Sequence, residues 1–302
     1  MIITFYPASG AEGIVFEHSG IGYGLREIHG IERNSVDTRT RKSPGQRGET
    51  LHDSLVGVRT ITMTVILMSR TYDEFWEMRQ RLTDAMAINP TRPGESPEYA
   101  VMFIDREVPD LPIVFIECVP IDSPQFTDGN IDWGYADVEL RCSDPDFKGA
   151  QDNQVILGKI LGFEFLPNNP PATATVQFPL EMFAGNTRQE VINAGNVDTP
   201  MYGVIYGFVR NPTVRNLDTG EQIVIVGTVL EGDRMEFSTS FGEKYMTYIS
   251  ATTGSRPALN MVDVVNSTFF SLHPGLNRLT LDSADLTSGY VSIIWQSRWS
   301  GI

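Results

Sequence analysis

Hydrophobic and polar residues alternate with period two over 59–68: Ile61, Met63, Val65 and Leu67 fall on one side, Thr60, Thr62 and Thr64 on the other. That is the pattern of a half-buried strand. The period then changes. Tyr72, Phe75, Met78, Leu82, Ala85 and Met86 recur at helical spacing, and Thr71 and Glu74 stand three apart as a capping box. Asn89-Pro90 and Pro93-Gly94 predict where the helix stops. The stripe predicts one helix packed on a sheet. Two more strands follow, over 113–119 and 135–142. In the second, Ala136, Val138, Leu140 and Cys142 face inward and Asp137, Glu139 and Arg141 face outward.

Asp144-Pro145-Asp146 punctuates the chain, and the domain boundary is placed there, giving 1–148 and 149–302. The second half shows no helical stripe. Turn signals recur instead at about the 8–12-residue spacing of a β-sandwich. They fall at Asn168-Asn169-Pro170-Pro171, Ala194-Gly195-Asn196, Asn211-Pro212, Asp218-Thr219-Gly220, Gly232-Asp233, Phe241-Gly242 and His273-Pro274-Gly275. Between them run β-rich stretches such as 222–230 and 290–295. The fold class is mainly β with one helix, in two dissimilar halves. The stretch from Gln151 to Lys159 reads as a linker.

Charge adds a feature that the pattern does not show. Over 33–48, Arg33, Arg39, Arg41, Lys42 and Arg47 face a single acid, Asp37, a local balance of +4 in a chain of net charge −15. This arm is punctuated by Pro44, Gly45 and Gly48 and has almost no apolar residue to fold it down. A segment opposite in sign to its own protein predicts a surface completed by another acidic chain, first of all a second copy. The acidic outward residues Asp137 and Glu139 are its expected counterparts. An acidic bulk argues against nucleic-acid gripping as the main task.

The chemistry of enzymes is missing from the pattern. His18, His29, His52 and His273 share no metal-type spacing, and there is no nucleophile elbow, phosphate loop or Cys-x-x-Cys. Gly20-Ile21-Gly22-Tyr23-Gly24 lacks the third glycine of a dinucleotide loop and reads as a strand connection. Asp144 and Asp146 read as turn formers rather than calcium ligands. Trp133, Trp295 and Trp299 read as core or interface rather than sugar platforms. No catalytic, cofactor-binding or metal site is predicted. Cys118 and Cys142 read as buried free thiols. A hairpin around 126–130 would place Cys118 opposite residue 136, about 20 Å of strand from Cys142. No signal-peptide pattern and no apolar span are found, so a soluble protein assembled in a cytoplasm is expected.

The order of these features resembles siphophage distal tail proteins. A Pro44-Gly45-Gln46-Arg47-Gly48 arm precedes the Arg59-Thr-Ile-Thr-Met-Thr strand, a helix containing Glu74-Phe-Trp-Glu-Met-Arg-Gln-Arg-Leu82, and a closing Glu139-Leu-Arg-Cys-Ser-Asp-Pro-Asp-Phe147. In the second half, Asn193-Ala-Gly-Asn196, Thr199-Pro200, Asn211-Pro-Thr213, Asn216-Leu-Asp-Thr-Gly220, Gly232-Asp233 and Pro274-Gly-Leu-Asn277 are similar to that family's C-terminal domain. The resemblance implies a tail-tube-like β-domain with a packed helix, followed by a galectin-like β-sandwich. It further implies a homohexameric ring at the distal end of a long non-contractile tail, in the virion.

The implied partners are other copies of the chain, the tail tube protein and the tail hub or tail-associated protein. Tape measure, fibre and receptor-binding proteins stand behind these. Genome DNA would pass through an acidic lumen without specific binding, and no membrane insertion or cofactor is implied. On this reading Arg39, Arg41, Lys42, Pro44, Gly45, Arg47 and Gly48 contact a neighbouring subunit, with Asp137 and Glu139 as acceptors. The alternative reading is a lectin-like protein that recognises host glycans through the C-terminal sandwich.

Overall fold

The structure is a computed structural model that describes residues 1–17, 20–32, 34, 36–87, 98–130, 132–158, 188–286 and 289–302. The proposed turn at Asn168–Pro171, the helix-stop prolines and glycine at 90–94, and Arg33, His18 and Lys159 lie outside them. The described residues are mainly β with one α-helix. They divide into two compact units, Met1–Ala150 with Arg298–Ile302, and Gln151–Ser297. The last five residues thus belong to the first unit, whereas the sequence reading gave all of 149–302 to the second.

In the first unit the strands are β1 (Ile2–Tyr6), β2 (Ile14–Phe16), β3 (Gly22–His29), β4 (Val36–Arg41), β5 (Thr50–Val56), β6 (Arg59–Met68), β7 (Ala100–Asp105), β8 (Val114–Pro120), β9 (Gln125–Asp128), β10 (Trp133–Cys142) and β11 (Phe147–Gly149). The main sheet runs β2-β1-β7-β8-β10-β6-β3. Its two edges meet, because Glu17 N–H donates to the Tyr23 carbonyl at 3.1 Å and Leu25 N–H to the Glu17 carbonyl at 2.8 Å. The sheet therefore curls and closes on itself, removing the free edges that an open sheet exposes.

β6 and β10 pair without a bulge from Trp133↔Met68 to Cys142↔Arg59. An unbroken register keeps side-chain alternation in phase on both strands. Ile61, Met63, Val65 and Leu67 thus share the core with Ala136, Val138, Leu140 and Cys142. The helix α1 (Tyr72–Ala85) adds Phe75, Leu82 and Ala85 to that core. Its cap forms as the spacing predicts: Thr71 Oγ1 accepts from Glu74 N–H at 3.3 Å. The reciprocal bond goes one residue further back, from Arg70 N–H to Glu74 Oε2 at 3.0 Å. Tyr72 is exposed, so the buried stripe starts at Phe75.

The expected hairpin between 113–119 and 135–142 is corrected. The chain turns early and 125–128 forms β9, which takes the place opposite Gly134–Asp137. β8 is displaced along β10 and pairs Pro120↔Leu140 and Val119↔Arg141. Cys118 therefore comes opposite Cys142 rather than residue 136, although both remain free, buried thiols.

The second unit is all antiparallel. One sheet is ordered Asn153–Gly158, Tyr290–Trp295, Met201–Tyr206, Arg234–Ser238, Tyr245–Ser250, Gly254–Pro257. Another is ordered Arg188–Asn193, Gly275–Asp282, Thr213–Asn216, Gln222–Val224. Val191, Val214, Ile223, Leu279 and Leu281 of the second pack with Leu157, Ile205, Phe237, Val291 and Ile293 of the first in one core, the construction of a sandwich. The stretch read as a linker is largely strand, since 153–158 pairs with 290–295. The 222–230 run is broken at Gly227, whose φ of 137° is open to glycine but not to side chains in general.

A candidate inter-subunit surface

The basic arm is a hairpin. β4 and β5 pair from Val36↔Val56 to Arg41↔Thr50, with an irregularity after Arg39. Neither strand joins the main sheet, and every residue of both is exposed. Pairing puts Val36, Thr38, Thr40, Leu51, Ser54 and Val56 on one side, and Asp37, Arg39, Asp53 and Leu55 on the other. The tip is held by a local network. Gln46 N–H donates to the Ser43 carbonyl at 3.0 Å, Ser43 N–H to Gln46 Oε1 at 3.0 Å, and Gln46 Nε2 to Thr50 Oγ1 at 2.8 Å. Thr40 Oγ1 donates to Glu49. Gly45 and Gly48 sit at φ of 81° and 80°, where a glycine turns the chain without strain. Pro44 follows Ser43 into this turn.

No ion pair joins Arg39, Arg41, Lys42 or Arg47 to another described residue. Arg39 stands opposite Asp53 in register, and the remaining basic groups face solvent.

Asp137 and Glu139 lie elsewhere, on the outward side of β10. There Glu27, Thr64 and Asp137 form one cross-strand row and His29, Thr62 and Glu139 the next. Thr64 Oγ1 donates to Asp137 Oδ1 at 2.7 Å. Asp122, Ser123 and Gln125 complete a shallow groove of about 190 Å³. The structure thus brings Asp137 and Glu139 together and groups the arm residues together, but it does not bring the two groups into contact within one chain.

The base of the arm is held by a buried side chain that no local sequence pattern marks. Arg59 is 5% exposed and donates to the carbonyls of Glu32 and Pro145, each at 2.7 Å. It also donates to Gly30 O and Asn34 Oδ1 and lies over the Phe147 ring at 4.6 Å. Burial lowers its pKa, an effect countered by Cys142, Asp146 and Glu32. Asn34 N–H reaches the Ser300 carbonyl at 3.0 Å, and Asn34 Nδ2 reaches Asp146 Oδ1 at 3.0 Å. Burial, with Asp144 nearby, raises the Asp146 pKa.

In the second unit the motif asparagines prove to be turn staples. Asn193 Nδ2 donates to the carbonyls of Val197 at 2.9 Å and Leu272 at 3.0 Å. Asn216 Nδ2 donates to Asn277 Oδ1 at 3.1 Å, and Asn277 Nδ2 to the His273 carbonyl at 2.8 Å. A buried amide saturated in this way fixes turns whose backbone groups would otherwise lack partners. Trp295 is buried in this unit's core, and Trp299 packs half-buried on the other. Asp144 is engaged by Arg298 at 3.0 Å and Lys148 at 3.4 Å. Among the described residues no group of three or more His, Cys, Asp or Glu is placed to hold a metal ion.

The first unit is thus a curled β-domain with an exposed charged hairpin, and the second is a β-sandwich. Residues 194–299 match the family model for the siphovirus-type tail component, C-terminal domain. SPP1 Dit (gp 19.1), a hub adsorption apparatus protein of phages infecting Gram-positive bacteria, shares the fold with a TM-score of 0.61 at 11% identity, over 92% of this chain and 93% of that one. The baseplate of phage P2 in its activated conformation with Ca matches at TM-score 0.47 and 11% identity, over 97% of each chain. No curated protein matches the sequence.

Proposed function

We propose that this chain forms a homohexameric ring at the distal end of a long non-contractile tail. The ring would join the tail tube to hub and fibre proteins and surround the DNA channel, in virions assembled in the host cytoplasm. One observation carries the reading. The chain displays a solvent-exposed hairpin whose Arg41, Lys42 and Arg47 pair with no acid among the described residues, and an outward acidic pair, Asp137 and Glu139, that these groups do not meet within the subunit. Opposite surfaces left open on one chain are satisfied when copies associate head to tail, and a heterologous contact of that kind gives a ring where its rotation closes and a filament where it does not. Net charge −15 also suits a channel wall along which phosphates slide rather than bind.

The test is mass determination by light scattering together with negative-stain microscopy. The unaltered chain should give rings of six with a central hole. Charge reversal at Arg39, Arg41 and Lys42 should leave monomers. Combining it with Asp137→Lys and Glu139→Lys should restore part of the ring population. Normal rings in the first variant would show that the arm does not make the contact, and a monomeric unaltered chain would remove the ring itself.

A second reading, glycan recognition by the sandwich, is favoured by one surface. Cross-strand register puts Tyr202, Tyr206, Tyr245 and Tyr290 on the same side of the six-stranded sheet as Arg234 and Glu236. Tyr206 and Tyr290 stack with centroids 5.0 Å apart, and Arg234 Nε donates to Glu236 Oε1 at 2.9 Å. Glycan-array binding lost in Tyr206→Ala would support it, and an empty array would dismiss it.

A further inference from the structure

Four adjacent strands of the first unit set Ala100, Cys118, Cys142 and Arg59 in one row. Ala100 pairs with Cys118 across β7 and β8, and Cys142 pairs with Arg59 across β10 and β6. The middle pair follows from the β8–β10 ladder: Val119↔Arg141 and Pro120↔Leu140 extend by one step to Cys118 opposite Cys142. The type of pair is also fixed. Ile121 N–H donates to the Glu139 carbonyl at 3.0 Å, so hydrogen-bonded positions alternate as 121/139 and 119/141. Pro120, without an N–H, takes the position between them, and 118/142 is of the same non-hydrogen-bonded kind. Such pairs hold their Cα atoms about 4.5 Å apart, with side chains close, inside the roughly 4.4–6.8 Å that a disulfide spans.

Both thiols are fully buried, on the same inward side. We propose that Cys118 and Cys142 are a latent cross-strand disulfide, formed within one chain when the protein meets an oxidising environment and tying β8 to β10 beside the Arg59 clamp. The inference stands on the first unit alone and does not depend on the ring. The reaction is thiol–disulfide exchange. One protein thiolate attacks a small-molecule disulfide and releases one small thiol. The second protein thiolate then displaces the other small thiol, so two protein thiols are oxidised as one external disulfide is reduced.

The environment sets the rate. A hydrogen bond to the Cys142 sulfur, followed by burial, holds the Cys118 thiol protonated, well above the ordinary thiol range. Only the thiolate exchanges, so the closed form reacts slowly at neutral pH, and higher pH or mild denaturant speeds it. In the reduced state Cys118 Sγ is directed at the Ala100 carbonyl at 3.7 Å.

The experiment treats the reduced full chain with oxidised glutathione at alkaline pH and low urea, followed by alkylation under denaturing conditions. The expected product is a monomer with no alkylatable thiol and a mass lower by about 2 Da, in which a non-reducing digest links the peptides of Cys118 and Cys142. Closing this loop should raise the melting temperature of the first unit by about 6–12 °C, a gain that dithiothreitol reverses and Cys142→Ala lacks. Two alkylatable thiols after a model thiol has exchanged to completion would overturn the proposal. So would a bridge between chains, or an intrachain bridge that lowers the melting temperature.

Discussion

Arg59 donates a hydrogen bond of 2.7 Å to the backbone carbonyl of Ser300, 241 positions away along the chain. The same guanidinium holds Gly30, Glu32 and Asn34 at the base of the arm and Pro145 at the end of β10. One side chain thereby closes three segments that the sheet ladder does not join. Replacing it by alanine leaves several buried carbonyls without donors, at about 1–3 kcal/mol for each uncompensated group. Arg59→Ala should lower the stability of the first unit by about 3 kcal/mol or more and leave the second unit's calorimetric transition in place. Arg59→Lys keeps the charge but not the planar fork, and should recover less than half of the loss.

The C-terminal residues act on the arm through the same site. Arg298 and Trp299 pair with β11, Ile302 N–H donates to the Ile31 carbonyl at 3.0 Å, and Ser300 accepts from both Asn34 and Arg59. Deleting 298–302 should therefore loosen the root of the arm rather than the centre of the sheet. Hydrogen exchange should show faster exchange at Asn34 and neighbouring amides, with β6 and β10 amides still protected. Uniform exchange across the first unit would mean that the tail supports the whole core.

Glycine 203 illustrates a different constraint. It pairs with Phe237 in the next strand, and a Cβ at position 203 would lie 2.1 Å from the Phe237 ring. The ring covers the space that the missing side chain leaves, so the glycine is a packing element. Gly203→Ala should cost about 1–3 kcal/mol through overpacking, read as a lower denaturation midpoint of the second unit. Adding Phe237→Leu should cost less than the two single changes together, because both act on one space.

These cases show why some elements were legible in the sequence and others were not. β6 and β10 were legible because an unbroken register leaves period two intact on both. The helix was legible from Thr71, Glu74 and its apolar stripe. The arm showed its charge but not its form. Burial imposes no alternation on 36–41 or 50–56, since both strands are wholly exposed. The strand at 125–128 was missed because Asp128-Gly129 reads locally as a loop, and only the register with β10 makes a strand of it. Without that strand, the simple hairpin places Cys118 opposite residue 136 and away from Cys142. The role of Arg59 lay outside any local pattern, since its partners are backbone carbonyls and an amide distant in sequence.

Acid should act differently on the two units, through carboxylates whose pKa values are shifted in opposite directions. In the second unit, Asp233 accepts from Tyr248 Oη at 2.7 Å and from Ala251 N–H at 2.9 Å, which lowers its pKa. Asp218, held by Arg278, and Asp263, held by Asn266, are lowered as well. A carboxylate whose folded pKa is depressed contributes stability that is present above the unfolded value of about 3.9 and is lost as pH falls toward the folded one. The second unit should therefore lose melting temperature on acidification below about pH 4. Asp233→Asn should melt lower at neutral pH and show a shallower slope in that acid range.

Asp146 in the first unit is the converse. Burial raises its pKa, so its favourable contribution is complete below the unfolded value and disappears as pH rises through the folded one. Asp146→Asn still offers an acceptor to Asn34. It should leave the first unit at least as stable at neutral pH, with less decline as pH rises above the unfolded value of about 3.9. A marked loss at neutral pH would mean instead that the charge of Asp146, set against Arg59 and Arg298, outweighs its burial.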